Sequence, residues 1–302
     1  MRGACGPRRT RRSRGWTRTW GRASCRGRGG AERMASVGEI PLGSIDTVFL
    51  DLDGCVWFGD ELADGAVEVV EGLRSSGRRV VFLTNTSYMR AATVAAKLRR
   101  LGIDAATDDV VLPVEVLGDH PALRDGPRVW YFGPDGVRDA VAEVAELAQR
   151  PEDAELVLLG RDTSLRYDDL TDALGVLVRG GRLLALNVDP QVPIGGGRVV
   201  PGIGAIAAAL TYASGVRAEV VGKPSATFFE AAMRRYGATA ERSVMIGDTL
   251  DSDIAGGLGV GMRTVLLGYG SPSALEPPPV PDHHVPDLRA AWALLAGATE
   301  AG

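Results

Sequence analysis

Lysine is almost missing from this 302-residue chain: of 34 basic residues only Lys97 and Lys223 are lysine, and the rest are arginine. A chain that uses arginine wherever any cation serves marks a retained lysine as a place where a compact point charge does what a planar fork does not. Cysteine is nearly as scarce. Cys5, Cys25 and Cys55 are the three present, with no CxxC spacing, which excludes a disulfide framework and points to a reducing cytoplasm. His120, His283 and His284 form no zinc-ligand spacing with them. The richest apolar segments, IGAIAAAL and AWALLA, fall well short of the about 18 residues that a spanning helix needs, so a membrane span is excluded. The amino-terminal region has no apolar stretch of the kind a secretory signal requires.

What is present is the composition of an ordinary globular protein, 45% hydrophobic and 24% charged, which rules out a fibre or wholesale disorder. The net charge of -4 is unevenly spread. Residues 1–43 carry 11 Arg against 2 Glu, a net of +9, which leaves -13 for residues 44–302. An acidic body disfavours nucleic-acid binding while leaving room for a small anion at a local site. The arginine-rich segment 1–43 has no helical or strand period and reads as a disordered tail, or as an extension that translation from Met34 would skip. Its Arg clusters with Trp16 and Trp20 also fit RNA or a membrane surface, the less favoured alternative.

From Thr47 onward short β-rich runs alternate with amphipathic ones. Strands are expected at 47–51, 78–84, 128–133, 155–160, 182–187, 218–222, 243–247 and 263–268. Helices are expected at 66–77, 90–102, 139–149 and about 167–179, through FFEAAMRRYG, and in a closing DLRAAWALLAG. Continuous apolar strands between helices predict an α/β fold, a Rossmann-like parallel sheet covered on both faces. The Pro/Gly-rich DPQVPIGGGRVVPGIG reads as a hinge or a loop over a site. Because the carboxy-terminal third, taken to include AEVVG at 218–222, returns to the opening pattern, we expect a second α/β domain inserted at 117–194. It would lie within a core formed by 44–116 and 195–302.

Acidic residues cluster where strands end. FLDLDGCVW places Asp51 and Asp53 two positions apart before Gly54, at the carboxyl edge where parallel sheets bind ligands. Carboxylates this close repel unless a cation or shared proton intervenes, and Mg²⁺ prefers such hard oxygen ligands; a plain Asx turn is the simpler alternative. LTNTS ends the next core strand with Thr84, Asn85, Thr86 and Ser87, whose hydroxyls, amide and backbone N–H groups suit phosphate oxygens or a helix cap. Lys223 follows a strand in VVGKPS, whereas Lys97, in AAKLRR, reads as a solvated helix residue. In MIGDTLDSDI, Asp248 follows Gly247 at a strand end and would complete a metal cage with Asp51, with Asp253 orienting the site from behind.

Together DLDGCVW, LTNTSYMR, VGKPSATFFEAA and GDTLDSDIAGG resemble the haloacid dehalogenase (HAD) superfamily, and within it subclass IIA, the NagD-like or p-nitrophenylphosphatase group with a C2-type α/β cap. The resemblance implies that Asp51 attacks phosphorus to form an aspartyl-phosphate. Asp53 would protonate the leaving oxygen and then activate water. Thr84 and Asn85 would grip the phosphoryl group and Lys223 neutralise it. Mg²⁺ would be held by Asp51, the Asp53 backbone carbonyl and Asp248, with Gly247 and Asp253 in support. Thr86 and Arg161 depart from the family's usual Asn and from the Leu of its GLD motif, departures that bear on substrate.

The implied function is Mg²⁺-dependent hydrolysis of a small phosphorylated metabolite: phosphoglycolate, glycerol phosphate, a sugar phosphate, pyridoxal phosphate or a nucleotide. A cap would exclude bulk water and select the leaving group through Arg161, Asp162, Tyr167, Asn187 and Asp189, each of which also has a plain structural reading. An apolar cap face would support a homodimer. The competing readings are a phospholigand-binding protein without turnover, a carbon–halogen hydrolase and an Arg-tail nucleic-acid binder.

Overall fold

A computed structural model describes residues 42–193, 198–268 and 273–297. The expectations for the tail, including Cys5, Trp16, Trp20, Cys25 and Met34, lie outside the described residues, as does 194–197 of the expected hinge. The strand Thr47–Leu50 is buried at every position, which is what a Thr-Val-Phe-Leu run achieves only when helices cover both faces of its sheet. It pairs in parallel with Arg79–Leu83 on one side and Ser243–Gly247 on the other. Arg263–Leu267, His283–Val285 and Val110–Val111 complete a six-stranded parallel sheet. Register aligns the strand ends: Leu50 lies opposite both Phe82 and Ile246, so Asp51, Thr84 and Asp248 leave the sheet along one edge.

Helices Ala66–Ser75 and Ala91–Arg100 bury the faces Val69, Val70 and Leu73, and Val94, Ala95 and Leu98, at helical spacing. The expected last helix is Leu288–Leu295. Asp287 caps it by accepting from the Ala290 N–H at 2.8 Å, and it packs on Ala66–Ser75 with Trp292 lying over Gly72.

A second parallel sheet has the order Ala218–Val220, Arg182–Ala185, Leu156–Leu159, Arg128–Phe132, Glu146–Leu147. Two expectations are corrected here. The 218–222 segment belongs to this sheet, not to the core: helix Ile203–Ser214 carries the chain back so that Ala218–Val220 pairs beside Leu183–Ala185. The second sheet thus runs past the expected boundary at 194. A short β-prone run after a helix fits either sheet by composition, and only the crossover decides. The helix expected at 139–149 instead spans Asp135–Val144 and stops where Ala145 turns extended, freeing Glu146–Leu147 to pair with Arg128–Val129. The Pro/Gly-rich segment contains an antiparallel pair, Gln191–Pro193 with Val199–Pro201.

His120 lies where the chain leaves the core for the second sheet. It is 6% exposed, and its Nδ1 accepts from the Ala122 N–H at 3.1 Å. Burial pushes its imidazole below the ordinary value, opposed by Glu219 and assisted by Arg182. A base with a depressed folded value stays neutral in the native state while the unfolded chain takes up a proton below about pH 6.5, so stability falls as pH drops through that range. Urea unfolding between pH 7.5 and 5 is expected to lose stability more steeply in the wild type than in His120→Asn, whose amide oxygen replaces the Nδ1 acceptor.

Candidate active site

Asp51 emerges from the central strand 5% exposed, at the floor of the edge. Two residues on, the Asp53 side chain is exposed and stands at the mouth. The chain turns between them, with Trp57 N donating to Leu52 O at 3.0 Å and Gly54 N to Trp57 O at 2.9 Å. Gly54 has φ of +88°, and a Cβ there would collide with the Asp248 carboxylate. Glycine is thus required twice over, by the left-handed backbone and by the approach of Asp248. Gly247 serves Asp253 similarly, since a Cβ on it would strike that carboxylate.

Lys223 is 2% exposed and lies between two acids. Its Nζ donates to Asp51 Oδ1, to Asp253 Oδ1 at 2.7 Å and to Leu83 O at 3.1 Å, which uses all three of its protons. Burial alone would lower its pKa, but the carboxylates of Asp253 and Asp51 outweigh burial and raise it above the ordinary lysine value. Asn85 holds the lysine's backbone: Lys223 N donates to Asn85 Oδ1 at 2.8 Å and Asn85 Nδ2 donates to Lys223 O at 3.2 Å. The Asn85 side chain is therefore occupied with positioning Lys223, and its expected grip on phosphate is not a side-chain contact in this arrangement.

Oxygens of Asp51, Asp248 and Asp253 lie within 4.8 Å of one another. Burial raises the pKa of Asp51 well above the carboxylate range, opposed by Lys223 and reinforced by Asp253 and Asp248. Asp248 is raised as well, by burial and then by Asp253. One ammonium cannot neutralise three carboxylates, and a divalent cation would supply the missing charge. An all-oxygen donor set of this density fits Mg²⁺. Asp253, expected as a supporting group, also accepts from Thr249 N at 3.1 Å.

At the mouth, Thr84 Oγ1 and Thr86 Oγ1 each stand 3.5 Å from Asp53 Oδ2 and 3.1 Å from one another. The other oxygen of Asp53 accepts from Trp57 Nε1 at 2.9 Å. Over that indole, 4.1 Å from the ring centroid, lies the ammonium of Lys97, which also donates to Gly59 O at 2.6 Å. The reading of Lys97 as a solvated residue is corrected, because its side chain is only 16% exposed. Trp57 and Tyr88 were not singled out by sequence reasoning although both sit inside the DLDGCVW and LTNTSYMR motifs. The signal was their place beside Asp53 and Thr84. Cys55 is buried, and burial and then Asp51 raise its thiol well above the ordinary value, as befits a packing residue and not a nucleophile.

The five expected selector residues separate. Asn187 is buried and donates to Asn85 O at 2.6 Å and Ser87 Oγ at 3.4 Å, while Asp189 accepts from Asn85 Nδ2 at 3.1 Å. Both join the second sheet to the core edge. Asp162 turns its Oδ1 back to the Ser164 N–H at 2.7 Å, and Tyr167 is 83% exposed. Arg161 reaches across to the core, its guanidinium 4.7 Å from the Tyr88 ring centroid.

Comparison with known proteins bears on this geometry. The family described as haloacid dehalogenase-like hydrolase matches residues 48–145, and a HAD-hydrolase-like family matches 220–291. A sugar-phosphatase of Bacillus subtilis is 34% identical over 229 residues, covering 74% of this chain and 83% of that protein. A glycerol-3-phosphate phosphatase of Homo sapiens is 32% identical over 260 residues, 76% and 80% of the two chains. Among solved structures, glycerol phosphate phosphatase from Mycobacterium tuberculosis in complex with magnesium is similar with a TM-score of 0.74 at 31% identity, covering 83% of this chain and 77% of that one. No helix among the described residues is long and apolar enough to cross a membrane.

Lys223→Met leaves Asp51 and Asp253 buried without their shared cation. Breaking a buried pair from one side costs about 3–5 kcal/mol, and chemical denaturation in EDTA is expected to lose that much against the wild type.

Proposed function

The chain belongs to the haloacid dehalogenase-like hydrolases, and from that premise we propose that it hydrolyses small phosphate monoesters by covalent capture on Asp51. It is a Mg²⁺-dependent phosphoric monoester hydrolase with the core and cap of the NagD-like, p-nitrophenylphosphatase group. The observation that carries the mechanism is the contrast between two carboxylates two residues apart. One is buried against an ammonium and the other is exposed at the mouth.

Asp51 attacks phosphorus as the bond from phosphorus to the alcohol oxygen breaks. Asp53 gives that oxygen its proton, so an alcohol leaves and an aspartyl-phosphate remains. Asp53, now ionised, takes a proton from water as the water oxygen attacks the same phosphorus. Inorganic phosphate departs and both carboxyl groups return to their starting states. Asp51, Asp248 and the Asp53 backbone carbonyl would hold Mg²⁺, with Asp253 behind them; when bound, the ion offsets the charge of a phosphate dianion arriving among carboxylates. Lys223 adds fixed positive charge beside Asp51. The Thr84 and Thr86 hydroxyls, 3.1 Å apart at the mouth, would turn to the phosphoryl oxygens of a bound substrate. Trp57 holds one Asp53 oxygen while the other faces the Thr84 and Thr86 hydroxyls at the mouth, and Lys97 holds the indole.

The names of the relatives point to sugar, glycerol and nucleotide phosphates, and we place the substrate among such small monoesters. Phosphate release from a panel of these, with Mg²⁺ or with EDTA, tests the reading. Turnover is expected with Mg²⁺ alone and is expected to fall at least about 1,000-fold in Asp51→Asn. Activity surviving in that variant removes Asp51 as nucleophile, and a silent wild type across the panel favours a binding protein without turnover. Trp57→Phe keeps the ring under Lys97 and deletes the N–H. It is expected to lower kcat about 10-fold with little change in KM, a fraction of what a general acid contributes.

A further inference from the structure

Arg161 stands two residues beyond Leu156–Leu159, the middle strand of the second sheet, at the carboxyl end where parallel sheets receive ligands. Its neighbour across the gap is Tyr88, in the core loop that follows Thr84, Asn85 and Thr86. Burial raises the Tyr88 phenol above its ordinary value, with Asp53 reinforcing that shift and Arg161 opposing it.

What sets Arg161 apart from other described arginines without an ion pair, such as Arg78 and Arg99, which bond to backbone carbonyls, is a buried Nε with no partner among the described residues. Arg74, Arg90, Arg182, Arg235, Arg242 and Arg289 each have a carboxylate within ion-pair distance, but among the described residues Arg161 has none. The adjacent Asp162 is spent on Ser164, whose N–H and hydroxyl both donate to its Oδ1, at 2.7 and 2.6 Å. The Arg161 Nε is buried and, among the described residues, without a hydrogen-bond partner. A buried donor with no acceptor costs free energy, so this side chain is held here at a cost to stability. The guanidinium carbon lies 4.7 Å from the centroid of the Tyr88 ring, a cation–π contact that restrains the side chain.

We propose that Arg161 binds a second anionic group, a carboxylate or a phosphate, carried by the leaving alcohol of the substrate. The proposal rests on the phosphatase reading and narrows it from phosphomonoesters in general to those with two anionic ends. The first end meets Asp51, Lys223 and the metal cluster on the core, and the second meets Arg161 on the cap. A guanidinium fork pairs with either anion through two parallel N–H···O bonds, which a neutral hydroxyl cannot reproduce. In a body carrying -13 over residues 44–302, such a doubly charged substrate needs a cation at each end.

The test compares wild type, Arg161→Leu and Arg161→Lys on monoesters of similar size, with Mg²⁺. Glycerol 3-phosphate has a neutral leaving group, 3-phosphoglycerate carries a carboxylate, and a glycerate bisphosphate carries a further phosphate. Wild type is expected to favour one of the two anionic esters, and the favoured one names the anion. On it, Arg161→Leu is expected to lose about 10- to 100-fold in kcat/KM, mainly through KM, with less than about threefold change on glycerol 3-phosphate. Arg161→Lys, with charge but no fork, is expected to fall between. Equal losses on all three esters, or a wild type that prefers the neutral one, overturn the proposal and leave the phosphatase reading standing. A wild type inactive on every one of these esters also overturns the proposal, and the wider panel of sugar, glycerol and nucleotide phosphates then decides the phosphatase reading separately.

Discussion

Lys223 holds the site together. A single ammonium buried between Asp51 and Asp253 makes it feasible to bring three carboxylates to one sheet edge, and it neutralises only one of them. The remaining negative charge is what calls for a divalent cation. The same residue fixes the nucleophile's direction, because the Asp51 oxygen that faces Nζ is not the one free to attack. Arginine would not substitute: the contacts to Asp51, Asp253 and Leu83 O radiate from one nitrogen, and a planar fork cannot converge that way. In a chain otherwise given to arginine, the exception is intelligible.

Around that centre the two acids of DLDG are held in opposite environments. Asp51 is sealed below the sheet edge and tied to charge; Asp53 stands at the mouth between an indole N–H on one side and two threonine hydroxyls on the other. One carboxylate kept for attack and one for proton transfer is the division of labour that environment imposes on like groups. The second sheet reaches this arrangement through Asn187 and Asp189, which bond to Asn85, and Asn85 in turn bonds to the Lys223 backbone. The junction between sheets and the charge beneath the nucleophile therefore share one asparagine.

Much of this was legible in the sequence, for definite reasons. Parallel strands deliver their last residues to one edge, so Asp51, Thr84 and Asp248 could be placed together from their positions after apolar runs, and the rarity of lysine picked out Lys223. Other features depend on contacts between segments far apart in the chain. Asn85 looked like a phosphate ligand because nothing in TNTS announces a backbone clamp 138 residues away. Lys97 looked solvated because helix periodicity does not show an aromatic ring arriving from the Asp53 turn. The strand Ala218–Val220 reads as part of the core in the sequence because so short a run carries no mark of its partner, which is settled by the helix that precedes it.

The chain path has a consequence for how the molecule assembles. All five strands of the second sheet come from one continuous stretch, 128–220, whereas the central core strand Thr47–Leu50 finds one of its two neighbours, Ser243–Gly247, nearly two hundred residues downstream. Pairings of such sequence separation form late, after local ones have reduced the entropy of bringing the ends together. During synthesis the first part of the core must therefore wait, with Asp51 lacking its ammonium and one side of its strand unpaired, until the ribosome has delivered the whole insert and the residues behind it. Lys223 follows the last strand of the insert by three residues, so the nucleophile's charge partner is synthesised only after the whole second sheet.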